Sequence, residues 1–123
     1  MEAERAMLQA TRGINTHKGM IFSMGCLLGA SGRLWRPEGP CRDAARLLEE
    51  CARMSAGAVE DAFSALTPET ARTFGARLYL ETGLRGIRGE VAGGFPSVLL
   101  TGLPTLRALL ERGVSMERAG VSV

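Results

Sequence analysis

The chain has few of the residues that build β-sheets or membrane spans. Valine and isoleucine together number nine among 123 residues, whereas alanine alone supplies sixteen. No segment alternates apolar and polar side chains as a half-buried strand does. The uncharged run over residues 19–32 contains fourteen residues and several glycines, which is shorter than the ~20 apolar residues that a bilayer span needs. We therefore expect an all-α protein without a membrane partner.

Histidine and cysteine are too few, and too irregularly spaced, for the common zinc and disulfide frameworks. Cys26, Cys41 and Cys51 show no CxxC spacing, and His17 is the only histidine. Free thiols are typical of a reducing compartment, so a cytoplasmic location is expected. The net charge of +2 and the scattered basic residues argue against a nucleic-acid partner.

Helical periodicity dominates the middle of the chain. Apolar residues recur at intervals of three and four over residues 44–66, which predicts an amphipathic helix with a potential break at Gly57. The segment 67–69, Thr-Pro-Glu, is typical of a helix start, because a capping hydroxyl precedes a proline and an acidic residue. That helix is predicted to end near Gly83.

A further apolar stripe covers residues 99–110. Pro104 within it predicts a kink or a restart, because proline disfavours the α-conformation at Leu103. Ser115 is the predicted cap of a last helix. The uncharged run over residues 19–32 lacks a polar face, so we expect a buried central helix within a single, bundle-like domain.

A polar cluster at residues 13–19, Gly-Ile-Asn-Thr-His-Lys-Gly, leads directly into the uncharged run. Asn15 or Thr16 can cap a helix that begins at His17 or Lys18. The free backbone N–H groups of that helix end, together with the lysine, suit a phosphate group. His17 can exchange a proton near neutral pH.

Five glycines crowd the second cluster, residues 83–94. A helix loses roughly 1 kcal/mol for each glycine relative to alanine, so the cluster is predicted to form a loop or short turns. Its glycine-rich backbone can surround an anion, and Arg85 and Arg88 can bind phosphate oxygens in bidentate fashion. Glu90 can pair with an arginine, bind a hydroxyl group or coordinate a metal ion. Both clusters are expected to line one cleft.

Each group also has an ordinary structural explanation. A histidine or lysine at a helix start is usually a capping or solvated residue, and an Arg–Glu pair in a surface loop contributes little stability. The residues taken one by one leave both interpretations open.

Two phrases within these clusters resemble the signatures of one enzyme family. Asn-Thr-His-Lys-Gly at residues 15–19 and Arg-Gly-Glu-x-x-x-Gly-Phe-Pro-Ser-Val at residues 88–98 are similar to segments of triphosphoribosyl-dephospho-CoA synthases. Those enzymes make the prosthetic-group precursor for the acyl carrier subunit of citrate lyase or malonate decarboxylase. The resemblance implies a transferase that joins ATP to 3'-dephospho-CoA and releases adenine.

The resemblance also implies roles for individual residues. It suggests proton transfer by His17 and Glu90, and substrate or phosphate binding by Asn15, Thr16, Lys18, Gly19, Arg85, Arg88 and Gly89. Mg²⁺ is the expected cofactor, because a triphosphate is rarely bound without it. The ligands of that ion are left open.

Members of that family carry further signatures, around Pro-Lys-Pro-Gly and Asp-Asp-Thr-Asn, that this sequence lacks. We therefore expect the chain to form the middle of a larger all-α domain. The alternative is a catalytically inactive helical fragment that binds a nucleotide or serves as an interaction module. The sequence leaves the oligomeric state open, a homo-oligomer included.

Overall fold

A computed structural model describes residues 5–6, 9–10 and 17–123 of the chain. Within residues 17–123 the fold consists of six α-helices and one π-helical turn, and this part of the chain contains no β-strand. The all-α prediction is therefore confirmed. The helices are α1 (Lys18–Arg33), α2 (Ala44–Ser64), α3 (Phe74–Thr82), α4 (Gly86–Ala92), α5 (Leu103–Glu111) and α6 (Met116–Ser122), with the π-turn at Val98–Gly102.

The core lies where α1, α2 and α4 pack against one another. Its buried members come from these three helices and from the turn after α4. Val91 and Cys51 are the largest side chains that are fully buried among the described residues. The core cluster consists of Ala30, Leu48, Cys51, Val91 and Phe95.

The long helix α2 forms as its periodicity predicts. The Asp43 carboxylate caps it, accepting a hydrogen bond of 3.2 Å from the backbone N–H of Arg46. The helix continues through Gly57, because the turns on either side of that glycine are anchored by buried side chains. Its buried stripe includes Leu48, Cys51, Ser55, Val59 and Phe63.

The uncharged run does form a helix, but the prediction that this helix is buried is wrong. Ala30 is the only buried residue within α1. Met20, Ile21 and Leu28 expose 56%, 66% and 68% of their surface. The neighbouring helices cover one side of α1, so the lack of charge does not mean burial on every side. None of the helices in the described segments is long and apolar enough to cross a membrane.

Helix α3 begins later than its sequence pattern predicts. The backbone N–H groups of Thr70 and Ala71 both donate to the Thr67 carbonyl, at 3.1 and 2.9 Å, which closes a separate turn. The helix then starts after Thr73, whose hydroxyl accepts from the backbone N–H of Ala76 at 3.2 Å. Its predicted end at Gly83 is confirmed, with a left-handed φ of 75° at that glycine.

Pro104 is accommodated by a π-helical turn instead of a break. Leu103 keeps α-helical angles of −65° and −44°, so the expectation that proline disfavours the α-conformation there is wrong, although a new α-helix does begin at this residue. The π-turn over Val98–Gly102 ends just before Leu103 and Pro104. Its wider backbone leaves room for the proline ring, and a proline in the first turn of a helix needs no N–H donor. Ser115 is the residue before α6, as predicted, but its side chain makes no capping hydrogen bond.

Candidate functional site

The first candidate cluster lies at the amino-terminal end of α1. His17 occupies the capping position, and its carbonyl accepts from the backbone N–H of Ile21 at 2.8 Å. Lys18 is the first helical residue, and both side chains are exposed. The predicted binding residues Asn15 and Thr16 lie outside the described residues. The structure thus confirms a helix start at this cluster.

The second candidate cluster is helical, so the prediction of a loop or short turns is wrong for its centre. Gly83, at the end of α3, and Gly86, the first residue of α4, have φ values of 75° and 53°, which favour glycine. Inside α4, the burial of Val91 against α2 compensates for the low helix propensity of Gly89. Tertiary packing therefore overrides local propensity here.

The two clusters contact each other. A Cβ atom built on Gly19 would lie 2.9 Å from Cγ2 of Ile87, so the first turn of α1 packs directly on the first turn of α4. One residue further along α4, the guanidinium carbon of Arg88 lies 6.0 Å from the ring centroid of Phe22, within cation–π range. This contact brings Lys18 and Arg88 to the same end of α1.

The remaining candidates of the second cluster make structural contacts. The Glu90 carboxylate accepts a hydrogen bond of 2.7 Å from the backbone N–H of Ser97, and so caps the helical segment that follows. A Cβ atom at Gly89 would collide with the side chain of Arg85 one turn earlier. The lack of a side chain at Gly89 therefore leaves room for the Arg85 side chain on this face of α4.

Arg85 is directed towards α2 and α3 instead of the amino-terminal end of α1. Its guanidinium group donates to the Glu60 carboxylate at 2.7 and 3.2 Å. The guanidinium carbon also lies 5.4 Å from the ring centroid of Phe63 and 5.9 Å from that of Tyr79. Hydrogen bonding to Glu60 raises the pKa of Arg85 above its usual range. In this structure the group links three helices.

The Gly-Phe-Pro phrase of the second cluster forms a tight turn that anchors α4 to the core. Phe95 is buried although its φ is 55°, a left-handed conformation that a bulky residue adopts at a cost of roughly 1–2 kcal/mol. A Cβ atom on Gly94 would lie 3.3 Å from the carbonyl oxygen of Leu48, so the turn approaches α2 closely. Part of this signature therefore maintains the fold.

The amino-terminal end of α1 offers chemistry suited to an anion. The first turn of the helix has backbone N–H groups without intrahelical acceptors, and two cationic side chains lie beside it. The described residues contain no group of three or more His, Cys, Asp or Glu side chains that could hold a metal ion.

A second group of cationic residues was not predicted. Arg33, Arg36, Arg46 and Arg53 surround a cavity at the other end of α1, together with Glu49 and Glu50. Two of these arginines are seven residues apart on α2, a spacing that places them on one helix face. That spacing was the available signal, but the partners on α1 and in the following loop could not be identified without the fold.

Comparison with known proteins identifies the family of this chain. The family model described as ATP:dephospho-CoA triphosphoribosyl transferase matches residues 1–123. A Vibrio cholerae protein named "probable 2-(5''-triphosphoribosyl)-3'-dephosphocoenzyme-A synthase" is 39% identical over 120 residues, which cover 97% of this chain and 38% of that protein. A Citrobacter koseri protein of the same name is 40% identical over 119 residues, with 97% and 38% covered.

A more distant relative of the same name, from Streptococcus equi, is 34% identical over 120 residues that cover 90% of this chain and 41% of that protein. The chain thus spans about two fifths of the length of these curated relatives. No solved structure matches it. With a family model that covers every residue, and relatives that align along nearly its whole length, the chain belongs to the ATP:dephospho-CoA triphosphoribosyl transferase family.

Proposed function

We propose that this chain provides part of the substrate site of a transferase that joins ATP to 3'-dephospho-CoA and releases adenine. The observation that carries the proposal is the contact between the two signature segments, Gly19 on Ile87 and Arg88 on Phe22. Family membership supplies the reaction, and the contact brings cationic and proton-exchanging groups to one end of α1. The citrate lyase and malonate decarboxylase pathways are equally consistent with this site.

In the proposed reaction, the 2'-hydroxyl oxygen of the dephospho-CoA ribose forms a bond to C1' of the ATP ribose. The bond from C1' to adenine breaks, adenine leaves with the electron pair, and the triphosphate stays on the transferred ribose. Displacement at an anomeric carbon passes through an oxocarbenium-like transition state, as in glycoside hydrolysis. The site must therefore accept the hydroxyl proton, assist the departure of adenine and balance many phosphate charges.

We assign phosphate binding and proton transfer to different described residues. Lys18 and Arg88 bind phosphate oxygens in this proposal, because both cationic side chains lie near the amino-terminal end of α1, where the helix dipole favours an anion. We assign the hydroxyl proton to His17, because an imidazole is the commonest general base and this residue lies next to Lys18 at the start of α1. Arg85 is left out of phosphate binding because it pairs with Glu60.

Magnesium enters the proposal as a companion of the triphosphate. Mg²⁺ commonly binds through substrate phosphates and one or two carboxylates instead of a protein cage, and the described residues offer no such cage. When bound it would neutralise phosphate charge. We further propose a cytoplasmic location, which the free thiols of Cys26, Cys41 and Cys51 favour.

The first test is incubation of the protein with ATP, 3'-dephospho-CoA and magnesium, followed by chromatography for free adenine. Adenine release that requires both substrates supports the proposal. Formation of ADP or AMP without free adenine would contradict it, because a different bond of ATP would then be broken.

Substitutions at the shared end of α1 test the assigned residues. Lys18→Ala or Arg88→Ala should weaken ATP binding by about ten- to hundredfold, since a hydrogen bond to a charged group contributes ~1.5–3 kcal/mol. The matched control is Arg85→Ala, which removes the same charge from the start of α4. Equal losses in all three variants, measured by calorimetric titration with ATP, would refute the assignment of Arg88 over Arg85.

A further inference from the structure

A cavity of about 450 Å³ opens at the carboxyl-terminal end of α1, where that helix meets the first turns of α2. This volume lies within the range typical of small-molecule pockets. We call it the arginine pocket, after the side chains that line it: Arg33, Arg36, Arg46 and Arg53, with Glu49 and Glu50.

A buried carboxylate holds two of these arginines in place. The Glu50 side chain is only 8% exposed, and it accepts from Nε of Arg33 at 2.5 Å and from Nη2 of Arg53 at 2.7 Å. Hydrogen bonding to Arg33, more than to Arg53, lowers the pKa of Glu50. The two guanidinium groups are thus oriented before any ligand arrives, which reduces the entropy cost of binding.

Both oriented arginines keep donors available. Arg33 uses only its Nε–H on Glu50, so its two terminal amino groups remain, and its side chain is 57% exposed. Arg53 bonds the carboxylate through Nε and Nη2, which leaves Nη1, and its side chain is 68% exposed. Terminal guanidinium groups that face solvent match the oxygens of a phosphate.

The other two arginines have no ion-pair partner among the described residues. A tight turn fixes the backbone of Arg36, whose N–H and carbonyl exchange hydrogen bonds of 3.1 and 2.9 Å with Gly39. Arg46 lies in the first turn of α2, four residues before Glu50. A structural ion-pair network centred on Glu50 would need neither of them.

The charge balance of the pocket is positive. Four arginines against two glutamates leave a formal charge of +2, and the charge of Glu50 is already neutralised by its two partners. The carboxyl-terminal end of α1 and the amino-terminal end of α2 add partial charges of opposite sign, so these largely cancel. The arginines therefore determine the sign of the potential, and the pocket attracts anions.

The pocket is separate from the site at the other end of α1. From Lys18 to Arg33 the helix rises fifteen residues, or about 22 Å at 1.5 Å per residue. A triphosphate bound to Lys18 and Arg88 cannot extend that far. None of the residues assigned to the transferase site lines the arginine pocket.

We propose that the arginine pocket is a second anion site, which binds the phosphate groups of a polyphosphate such as a nucleoside triphosphate or the diphosphate of a coenzyme. Several guanidinium groups around one cavity suit a ligand with more than one phosphate, because each phosphate can take a bidentate partner. Arg36 and Arg46 contact the ligand, and Glu50 positions Arg33 and Arg53.

The experiment uses inorganic tripolyphosphate as the probe and isothermal titration calorimetry as the measurement. The 123-residue chain carries Lys18→Ala and Arg88→Ala throughout, so that only the carboxyl-terminal end of α1 is tested and failure of the transferase proposal leaves the result interpretable. Into this background we place Arg36→Ala, Arg46→Ala or both. Neither substitution removes a partner of Glu50, so folding should be retained.

The matched controls are Arg107→Ala on α5 and Arg118→Ala on α6, exposed arginines that remove the same charge outside the pocket. We expect each pocket variant to lose about tenfold or more in affinity for tripolyphosphate, and each control to change by less than about twofold. Equal losses in pocket and control variants would overturn the proposal, as would the absence of binding by the unsubstituted pocket.

Two further titrations identify the source of the phosphates. ATP and 3'-dephospho-CoA should compete with tripolyphosphate if the pocket recognises phosphate groups. The stronger competitor then identifies the class of the natural ligand. Adenosine, which lacks phosphate, should not compete. Competition by adenosine as strong as that by ATP would show that the base is recognised instead, and would refute a polyphosphate site.

Discussion

The two ends of α1 are both cationic, but they are built in different ways. At the amino-terminal end, Lys18 is the first residue of the helix, and Arg88 of α4 lies near it. At the carboxyl-terminal end, Arg33 is held by a buried glutamate of α2 and joined by further arginines from a loop and from α2. The first end depends on a helix terminus and local sequence, and the second on a tertiary ion-pair network.

This difference shows why only one end was visible in the sequence. Helix capping and a short motif are local properties, so residues 15–19 predict them without knowledge of the fold. The arginines of the pocket come from positions 33 to 53 and meet only because α1 and α2 pack side by side. A charge cluster of this kind has no contiguous motif.

Phe95→Ala should produce the largest effect, because both ends of α1 depend on the same core. Removing a buried phenylalanine ring typically costs 3–5 kcal/mol, and the left-handed backbone at this position remains strained with alanine. We expect the cooperative unfolding transition to be lost or strongly lowered, as measured by circular dichroism during heating. Both ATP and tripolyphosphate binding should be lost with it.

The control for this change is Phe74→Ala, since Phe74 is 75% exposed and Phe95 only 5% exposed. Substitution of an exposed side chain should change stability by less than about 0.5 kcal/mol. If binding at the carboxyl-terminal end survived in Phe95→Ala, the two ends would not depend on one shared core.

Gly19→Ala should have a smaller effect, confined to the amino-terminal end of α1. The new Cβ atom would lie 2.9 Å from Cγ2 of Ile87, so α4 must shift at the amino-terminal end of α1, whereas no atom near the arginine pocket is affected. Gly25→Ala is the matched control, because a Cβ atom there meets nothing within 4 Å. Both changes gain helix propensity of about 1 kcal/mol, but only the first adds an overpacking cost of about 1–3 kcal/mol.

In thermal unfolding, Gly25→Ala should therefore be more stable than the unsubstituted chain. Gly19→Ala should be less stable than Gly25→Ala, by the overpacking cost. ATP titration should show weaker binding in Gly19→Ala alone. Equal stabilisation by both substitutions would mean that Ile87 moves aside freely, and that the contact between the two signature segments is loose.

The smallest expected effect is a pH dependence confined to the carboxyl-terminal end. Because the pKa of Glu50 is lowered below its usual 4.5, its ion pairs stabilise the folded chain fully above that value. This stabilisation is lost as the pH falls through the lower pKa of the folded state. The midpoint of thermal unfolding should decline below about pH 5, and less so in Glu50→Gln. Parallel declines in both proteins would assign the acid sensitivity to other carboxylates.

Several elements of the fold follow from local sequence. The apolar stripe over residues 44–66 predicts α2, and Gly83 and Ser115 mark the end of α3 and the start of α6. These features depend on side-chain periodicity and on caps, which act within one or two turns. The start of α3 was misplaced because Thr67 and Thr70 close a turn of their own.

Other elements were decided by packing between distant segments. Glycines over residues 83–94 predict a loop, yet α4 forms there because Val91 and Phe95 become buried beneath it. The uncharged run predicts a buried helix, yet α1 leaves Ile21 and Leu28 exposed because neighbouring helices cover only one of its sides. Neither outcome can be read from propensity, which ignores where the rest of the chain lies.

By itself, the sequence determined the helical class, the family signatures and the cationic helix start at His17 and Lys18. These properties depend on residue identity and spacing over short distances, so no long-range contact is needed to establish them. The tertiary structure alone decided that Arg88 faces Phe22 while Arg85 turns to Glu60, and that the arginines around Glu50 surround a cavity. The direction of a long side chain is set by its packed neighbours, and these become known only when the helices are assembled.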